Sequence, residues 1–125
     1  MKITVIGPGA IGLVLAGSLD SKNQVSVLTK PEAYEKLKQN GLWIKERNKK
    51  RKINAKIITE IDDSEIVIIA VKGYDLNTAV NLLHNFKGKV IICQNGLKML
   101  NLNLEHNNNI YSIVTSMGAR SEEHT

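Results

Sequence analysis

The chain has 125 residues, of which 42% are hydrophobic, and this suits one globular domain with a single core rather than a disordered chain. No apolar run approaches the ~20 residues of a membrane-spanning helix, and no signal-peptide pattern precedes the first strand. We therefore expect a cytoplasmic protein with no membrane partner. The single cysteine, Cys93, cannot form an internal disulfide, which fits a reducing compartment. The net charge is +5, from 17 basic and 12 acidic residues.

A β-forming run, a glycine-rich turn and an apolar helical segment follow one another within the first twenty residues. In a G-x-G-x-x-G turn the first glycine permits a tight bend, the second lets the backbone approach a phosphate, and the third lets the helix pack closely on the strand. The helix N-terminus adds N–H groups and the positive end of its dipole. We predict a dinucleotide pyrophosphate site here, the alternative being a glycine turn without a ligand. The predicted contacts are Gly7, Pro8, Gly9, Ala10, Ile11 and Gly12.

Residues 25–29 are typical of a second strand, and its end bears on cofactor choice. An Asp or Glu at this point favours NAD, whereas a cation accommodates the 2′-phosphate of NADP. The sequence has Thr29 and Lys30 there, and we therefore expect NADP(H), with an ordinary exposed lysine as the alternative. Pro31 then predicts the start of a short helix that ends at Asn40-Gly41.

A basic cluster occupies residues 45–52 between two short apolar stretches. We predict a pair of strands, 42–44 and 53–58, joined by this cluster as a solvated hairpin tip. Such a cluster is compatible with nucleic-acid binding, but it has no interleaved aromatic residues, and we expect no nucleic-acid partner. Trp43 is expected to pack against the protein rather than stack on a ligand.

The second half of the sequence alternates between strand and helix patterns. Residues 65–71 form an apolar, β-branched run typical of a parallel strand buried on both faces. An amphipathic helix is predicted over 76–83, strands over 89–93 and 110–115, and a helix over 97–105. This alternation predicts an α/β fold with a doubly wound, mainly parallel sheet and helices on both faces.

Two polar residues directly follow predicted strands. Because ligands bind at the carboxyl ends of strands in open α/β sheets, Lys72 and Asn95 are candidates to contact a cofactor or substrate. The alternatives are an ordinary lysine and a simple Asn95-Gly96 turn. No spacing of His, Cys, Asp or Glu residues suggests a metal site.

Four segments, taken in order, resemble ketopantoate reductase (2-dehydropantoate 2-reductase), the NADPH-dependent oxidoreductase of pantothenate synthesis. They are residues 1–12, 70–75, 94–96 and 115–120. The resemblance implies a Rossmann-like NADP-binding domain that transfers a hydride from NADPH to the C2 ketone of a small 2-oxo acid, ketopantoate.

The same resemblance implies roles for individual residues. The glycine turn would bind the pyrophosphate and Lys30 would meet the 2′-phosphate. Lys72 and Asn95 would lie beside the nicotinamide, where Asn95 also contacts the substrate. Ala119 would make a backbone contact to the cofactor.

The sequence departs from the family pattern in two respects. Leu97 follows Asn95-Gly96 where the family usually has another glycine. The family also carries a second, helical domain with the general-acid lysine and a substrate-binding carboxylate. We therefore expect residues 1–125 to be a dinucleotide-binding domain, truncated before its last strands and the helical domain, with little turnover alone. The alternatives are a stand-alone NADP(H)-binding or sensor module, and a relict fold that forms a homodimer through a sheet edge.

Overall fold

A computed structural model describes residues 1–7, 9–70, 76–95 and 110–115. The helices are α1 (Ala10–Leu19), α2 (Pro31–Asn40) and α3 (Leu76–Asn81). The strands are β1 (Lys2–Ile6), β2 (Gln24–Leu28), β3 (Trp43–Glu46), β4 (Lys49–Lys52), β5 (Ala55–Ile58), β6 (Ile66–Ile69), β7 (Lys89–Asn95) and β8 (Ile110–Thr115). None of the described helices is long and apolar enough to cross a membrane.

Six of the described strands form one sheet in the order β5-β2-β1-β6-β7-β8, and every neighbouring pair is parallel. β1 lies between β2 and β6, with Ile6 paired to Leu28 on one side and to Ile69 on the other. The carboxyl ends of these three strands therefore lie side by side. This confirms the predicted α/β architecture, in which runs of β-branched residues form strands that are buried on both faces.

Each face of the sheet carries its own apolar core because successive strand residues point to opposite faces. The buried residues on the α1 face include Ile3, Val5, Ala16, Val25, Val27 and Ile68. Those on the α3 face include Ile6, Val67, Ile69, Leu76, Val80 and Leu83. Helices therefore cover both faces, as the alternation of the sequence predicts.

The predicted pairing around the basic cluster is wrong. β3 pairs with β4 in an antiparallel hairpin, and β5 instead joins β2 at the edge of the main sheet. The hairpin turns at Arg47 (φ 47°) and Asn48 (φ 68°), and two successive positive φ values suit a two-residue type I′ turn. Because the chain reverses this early, four of the six basic residues of the cluster lie in strand β4 rather than at a tip.

The hairpin is anchored to the C-terminal end of α1. The Arg51 guanidinium donates from Nη1 to Asp20 Oδ2 at 2.9 Å and from Nη2 to the Gly17 carbonyl at 2.7 Å. The backbone N–H of Asn54 donates to the same Asp20 oxygen at 2.9 Å. The Asn54 hydrogen bond, together with Arg51, holds the pKa of the Asp20 carboxyl below its usual range. Ile44 packs on Gly17 beside this ion pair.

Two further expectations need correction. Trp43 packs against the protein only in part: its indole N–H donates to the Asn40 carbonyl at 2.7 Å, but 46% of its surface is exposed. Helix α3 ends at Asn81, two residues before the predicted end, because the chain turns over residues 82–85. The predicted helix over residues 97–105 lies outside the described residues.

Candidate functional site

The glycine turn after β1 holds its backbone in close contact with α1. Gly7 has a φ of 106°, which L side chains rarely adopt. A Cβ built on Gly12 would lie 1.9 Å from the Gly7 carbonyl oxygen, so only glycine fits there without a shift of the backbone. The geometry therefore has the tight bend expected at the first glycine, Gly7, and the close packing of the helix expected at the third, Gly12.

The start of α1 is open at the second glycine. Gly9 is the N-cap residue, with extended backbone and no side-chain cap, and no acidic residue lies in the first turn. A Cβ built on Gly9 meets no atom within 4 Å in the described part of the chain, its immediate neighbours aside. The first helical hydrogen bond runs from Leu13 N to Gly9 O at 2.9 Å, so the preceding N–H groups lie at the free helix end. This end can accept an anion without competing with an internal carboxylate.

Lys30 lies next to this turn along the sheet. Gly7 N donates to Leu28 O at 3.2 Å, and this bond joins the glycine turn to the end of β2, two residues before Lys30. Lys30 is exposed and is the N-cap residue of α2, with Pro31 at the first helical position. The structure thus brings the glycine turn and Lys30 to the same end of the sheet.

The other predicted site residues follow β6 and β7. Ala70 N donates to Ile6 O at 3.0 Å, so β6 also ends beside the glycine turn. β7 ends at Asn95, whose register partner is Thr115 of β8. The side chain of Asn95 lies outside what the structure describes, as do three complete residues of the predicted site: Pro8, Lys72 and Ala119.

A polar network that sequence reasoning missed ties the connection before β6 to β1. Thr4, fully buried in β1, donates its hydroxyl to Asp62 Oδ1 at 3.2 Å, and the Ser64 hydroxyl donates to the same oxygen at 2.5 Å. Lys2 pairs with Asp63 and lies 3.6 Å from Asp62 Oδ2. The only signal in the sequence was a threonine inside an apolar strand.

The electrostatics of this network indicate a structural role. Burial alone would raise the pKa of the Asp62 carboxyl, but the Ser64 and Thr4 hydrogen bonds and the Lys2 charge hold it below its usual range. The hydrogen bond and charge of Lys2 lower the pKa of Asp63 in the same direction. Within the described ranges, no three His, Cys, Asp or Glu residues are grouped to hold a metal ion.

Cys93 lies in β7 within the apolar core on the α1 face. Burial raises the pKa of its thiol, and the thiolate needed for nucleophilic chemistry is therefore disfavoured. The structure supports the interpretation of Cys93 as a small core residue.

Many oxidoreductases have a strand, a glycine turn and a helix of this geometry in a parallel sheet. Comparison with known proteins shows to which family of such proteins this chain belongs. The family described as ketopantoate reductase PanE/ApbA matches residues 3–125, nearly the whole chain. The chain belongs to the ketopantoate reductase family. The resemblance drawn from four short segments is thereby confirmed.

Individual relatives agree with this assignment. The 2-dehydropantoate 2-reductase of Listeria monocytogenes is 33% identical over 104 residues, which cover 77% of this chain. The crystal structure of a probable 2-dehydropantoate 2-reductase from Bacillus subtilis superposes with a TM-score of 0.70 at 25% identity over 77% of this chain. A PanE/ApbA family ketopantoate reductase from Ralstonia eutropha, 17% identical, shares the fold with a TM-score of 0.69 over 90% of the chain and 40% of its own length.

This chain is much shorter than the proteins it matches. It spans 35% of the Listeria protein and 34% of the Bacillus protein. The shared part has the Rossmann-like fold of the family's N-terminal domain.

Proposed function

We propose that residues 1–125 form the NADPH-binding domain of an oxidoreductase that reduces 2-dehydropantoate to pantoate. The glycine turn is the observation that carries the proposal. Gly12 lies against Gly7 where no side chain fits, whereas no described residue apart from the chain neighbours lies within 4 Å of a Cβ built on Gly9. A turn with these two features leaves room for a pyrophosphate over an uncapped helix N-terminus.

In this proposal, bound NADPH supplies the hydride that adds to the C2 ketone of the substrate. The glycine turn and the first turn of α1 hold the pyrophosphate. Lys72 and Asn95 orient the nicotinamide, and Asn95 also donates a hydrogen bond to the substrate. Ala119 contributes a backbone contact to the cofactor. The position of β7, which ends at Asn95 near the carboxyl ends of β1 and β6, is compatible with these roles.

The preference for NADPH over NADH is assigned to Lys30. It follows β2 at the edge of the sheet where the adenosine ribose is held in dinucleotide-binding folds, and its side chain is exposed. A hydrogen bond between a charged donor and a phosphate contributes about 1.5–3 kcal/mol, and this corresponds to roughly 10- to 150-fold in affinity.

We further propose that turnover requires a helical second domain, in the same or another chain, that supplies the proton donor. Loss of a positioned general acid costs about 10²–10⁴-fold in rate. The coverage of only 35% of the Listeria reductase supports this part of the proposal. The 125-residue chain should therefore bind NADPH yet oxidise it only very slowly in the presence of 2-dehydropantoate.

Calorimetric titration of the purified chain with NADPH and, separately, NADH tests the proposal at fixed ionic strength. We expect tighter binding of NADPH and loss of that preference in Lys30→Glu, with NADH affinity nearly unchanged. Lys36→Glu is the matched control, because it reverses an exposed charge on the same helix away from the proposed site. A folded chain that binds neither nucleotide would exclude the proposed cofactor role.

Gly9→Ala provides a second test that is independent of charge. The new methyl group would meet no described residue beyond its chain neighbours within 4 Å, but it would occupy the proposed position of the pyrophosphate. We expect a folded variant with at least tenfold weaker binding of both nucleotides, about 1.4 kcal/mol. Unchanged affinity in this variant would show that the pyrophosphate is bound elsewhere.

A further inference from the structure

The net charge of the chain is concentrated in one structural unit. We call residues 43–52, comprising β3, β4 and their turn, the basic ribbon. Residues 45–52 include six basic residues and one acidic residue. This segment alone therefore has a net charge of +5, equal to that of the whole chain, and the rest of the sequence is balanced.

The hairpin register separates these charges between two faces. Ile44 and Arg51 are opposite each other and face α1, where Ile44 packs on Gly17 and Arg51 binds Asp20. Side chains alternate along a strand, so the next residues on each strand point away from α1. The outer face of the basic ribbon consists of Trp43, Lys45, Lys50 and Lys52.

The charges of the outer-face lysines are not neutralised by ion pairs within the described part of the chain. Lys45 is directly opposite Lys50, and like charges in this position destabilise a hairpin. No ion pair to Lys45, Lys50 or Lys52 is found among the described residues. The only acidic residue of the ribbon, Glu46, belongs to the inner face, where it lies 3.7 Å from Arg51 Nη2.

The hairpin also supplies the aromatic residue that the basic run lacks in the sequence. Trp43 is directly opposite Lys52 and belongs to the same outer face. Its indole is fixed by the hydrogen bond to the Asn40 carbonyl, and 46% of its surface remains exposed. An aromatic ring beside lysines combines base stacking with phosphate contacts, as single-strand-binding surfaces do.

We propose that the outer face of the basic ribbon binds single-stranded nucleic acid. The lysines contact consecutive phosphates and Trp43 stacks on one base. Lys50 and Lys52, two residues apart on one strand, have Cα atoms about 7 Å apart, a spacing comparable to that of phosphates along an extended strand. A membrane surface is a poorer fit, because insertion into the bilayer interface needs an apolar face and Trp43 is the single apolar member of the outer face.

The proposed surface differs from the dinucleotide site in position. The ribbon is anchored at Gly17 and Asp20, at the C-terminal end of α1, whereas the proposed pyrophosphate site is at the N-terminal end of the same helix. The proposal therefore does not depend on cofactor binding. It reverses the sequence-based expectation of no nucleic-acid partner.

The experiment titrates the full chain with an unlabelled oligouridylate at low salt and follows the fluorescence of Trp43, the only tryptophan. We expect the oligonucleotide to quench the fluorescence of Trp43. With three phosphate contacts, the logarithm of the binding constant should fall with the logarithm of the salt concentration with a slope of about −2. The triple variant Lys45→Gln/Lys50→Gln/Lys52→Gln should lose both the quenching and the salt-dependent binding. The control Lys22→Gln/Lys36→Gln/Lys87→Gln, which removes three exposed charges elsewhere, should retain them.

Three further measurements separate this proposal from its alternatives. Saturating NADPH should not displace the oligonucleotide, and displacement would assign binding to the dinucleotide site and overturn the proposal. Heparin, a polyanion without bases, should bind without quenching Trp43, and equal quenching would exclude stacking. The proposal would also be overturned if the chain bound phosphatidylserine vesicles more tightly than the oligonucleotide. Equal losses of oligonucleotide binding in the two triple variants would overturn it as well.

Discussion

Replacing Gly12 with alanine tests the close contact between α1 and the glycine turn. The new Cβ would lie 1.9 Å from the Gly7 carbonyl oxygen and 3.1 Å from its carbon. Real Cβ contacts are essentially never shorter than 3.0 Å, so helix and turn would have to separate by about 1 Å. Both partners are backbone, and no flexible side chain can yield instead.

The expected loss of stability follows from the groups that must move. Overpacking a well-packed site costs about 1–3 kcal/mol, and weakening the Gly7 N to Leu28 O hydrogen bond adds about 1 kcal/mol. Better helix propensity of alanine returns about 1 kcal/mol. The net destabilisation is about 1–3 kcal/mol, which lowers the Tm of a chain of this size by about 4–12 °C.

Thermal and urea unfolding of Gly12→Ala and Gly9→Ala measure this effect with a matched pair. Gly9→Ala adds the same methyl group where nothing lies within 4 Å in the described part of the chain, at a φ of −74° that alanine adopts without strain. We expect its stability to stay within about 0.5 kcal/mol of the parent chain. If Gly12→Ala unfolds within about 2 °C of the parent, or if both variants are equally destabilised, the close contact does not explain Gly12.

Two further predictions concern stability. Folding lowers the pKa of Asp20, so its ionised carboxylate contributes stability that is present above the unfolded pKa and is lost as pH falls below about 4. Urea unfolding across this range should show that the free energy of unfolding depends less on pH in Asp20→Asn than in the parent chain. An unchanged pH dependence would contradict the assigned role. Leu83→Ala should lower the free energy of unfolding by about 3 kcal/mol, because Leu83 is 1% exposed in the core. Its neighbour Leu82 is 43% exposed, so Leu82→Ala should change the same free energy by less than about 0.5 kcal/mol. Equal effects at these neighbours would refute the assignment of Leu83 to the core.

Much of the site could be predicted from the sequence because its determinants are local. The strand, the glycine turn and the start of α1 occupy twelve consecutive residues, and the reasons for Gly7 and Gly12 depend on the backbone around them. Lys30 was placed by counting along the β-α-β unit, since the lengths of its strand and helix fix where β2 ends. The apolar runs predicted the parallel sheet for the same reason, because burial on both faces removes polar residues from the pattern.

The basic ribbon shows where such reasoning fails. The composition of residues 45–52 revealed the charge but neither the turn at Arg47 and Asn48 nor the pairing of β5 with β2. The register of a strand depends on which other strand lies opposite it. An alternating pattern of apolar and polar residues predicts a strand but does not indicate its partner. The exposure of Trp43 and its place beside Lys52 followed only from the pairing.

The sequence by itself determined the strand–turn–helix unit, the α/β alternation and the family, because each depends on residue order and short spacings. Tertiary structure alone decided the contacts between residues far apart in the chain. Arg51 reaches Asp20 across 31 positions and Thr4 reaches Asp62 across 58. Such contacts form only after the sheet brings distant segments together. In the unfolded chain the same polar groups form hydrogen bonds with water instead. They therefore leave little trace in a single sequence, although they tie the hairpin to α1 and the connection before β6 to β1.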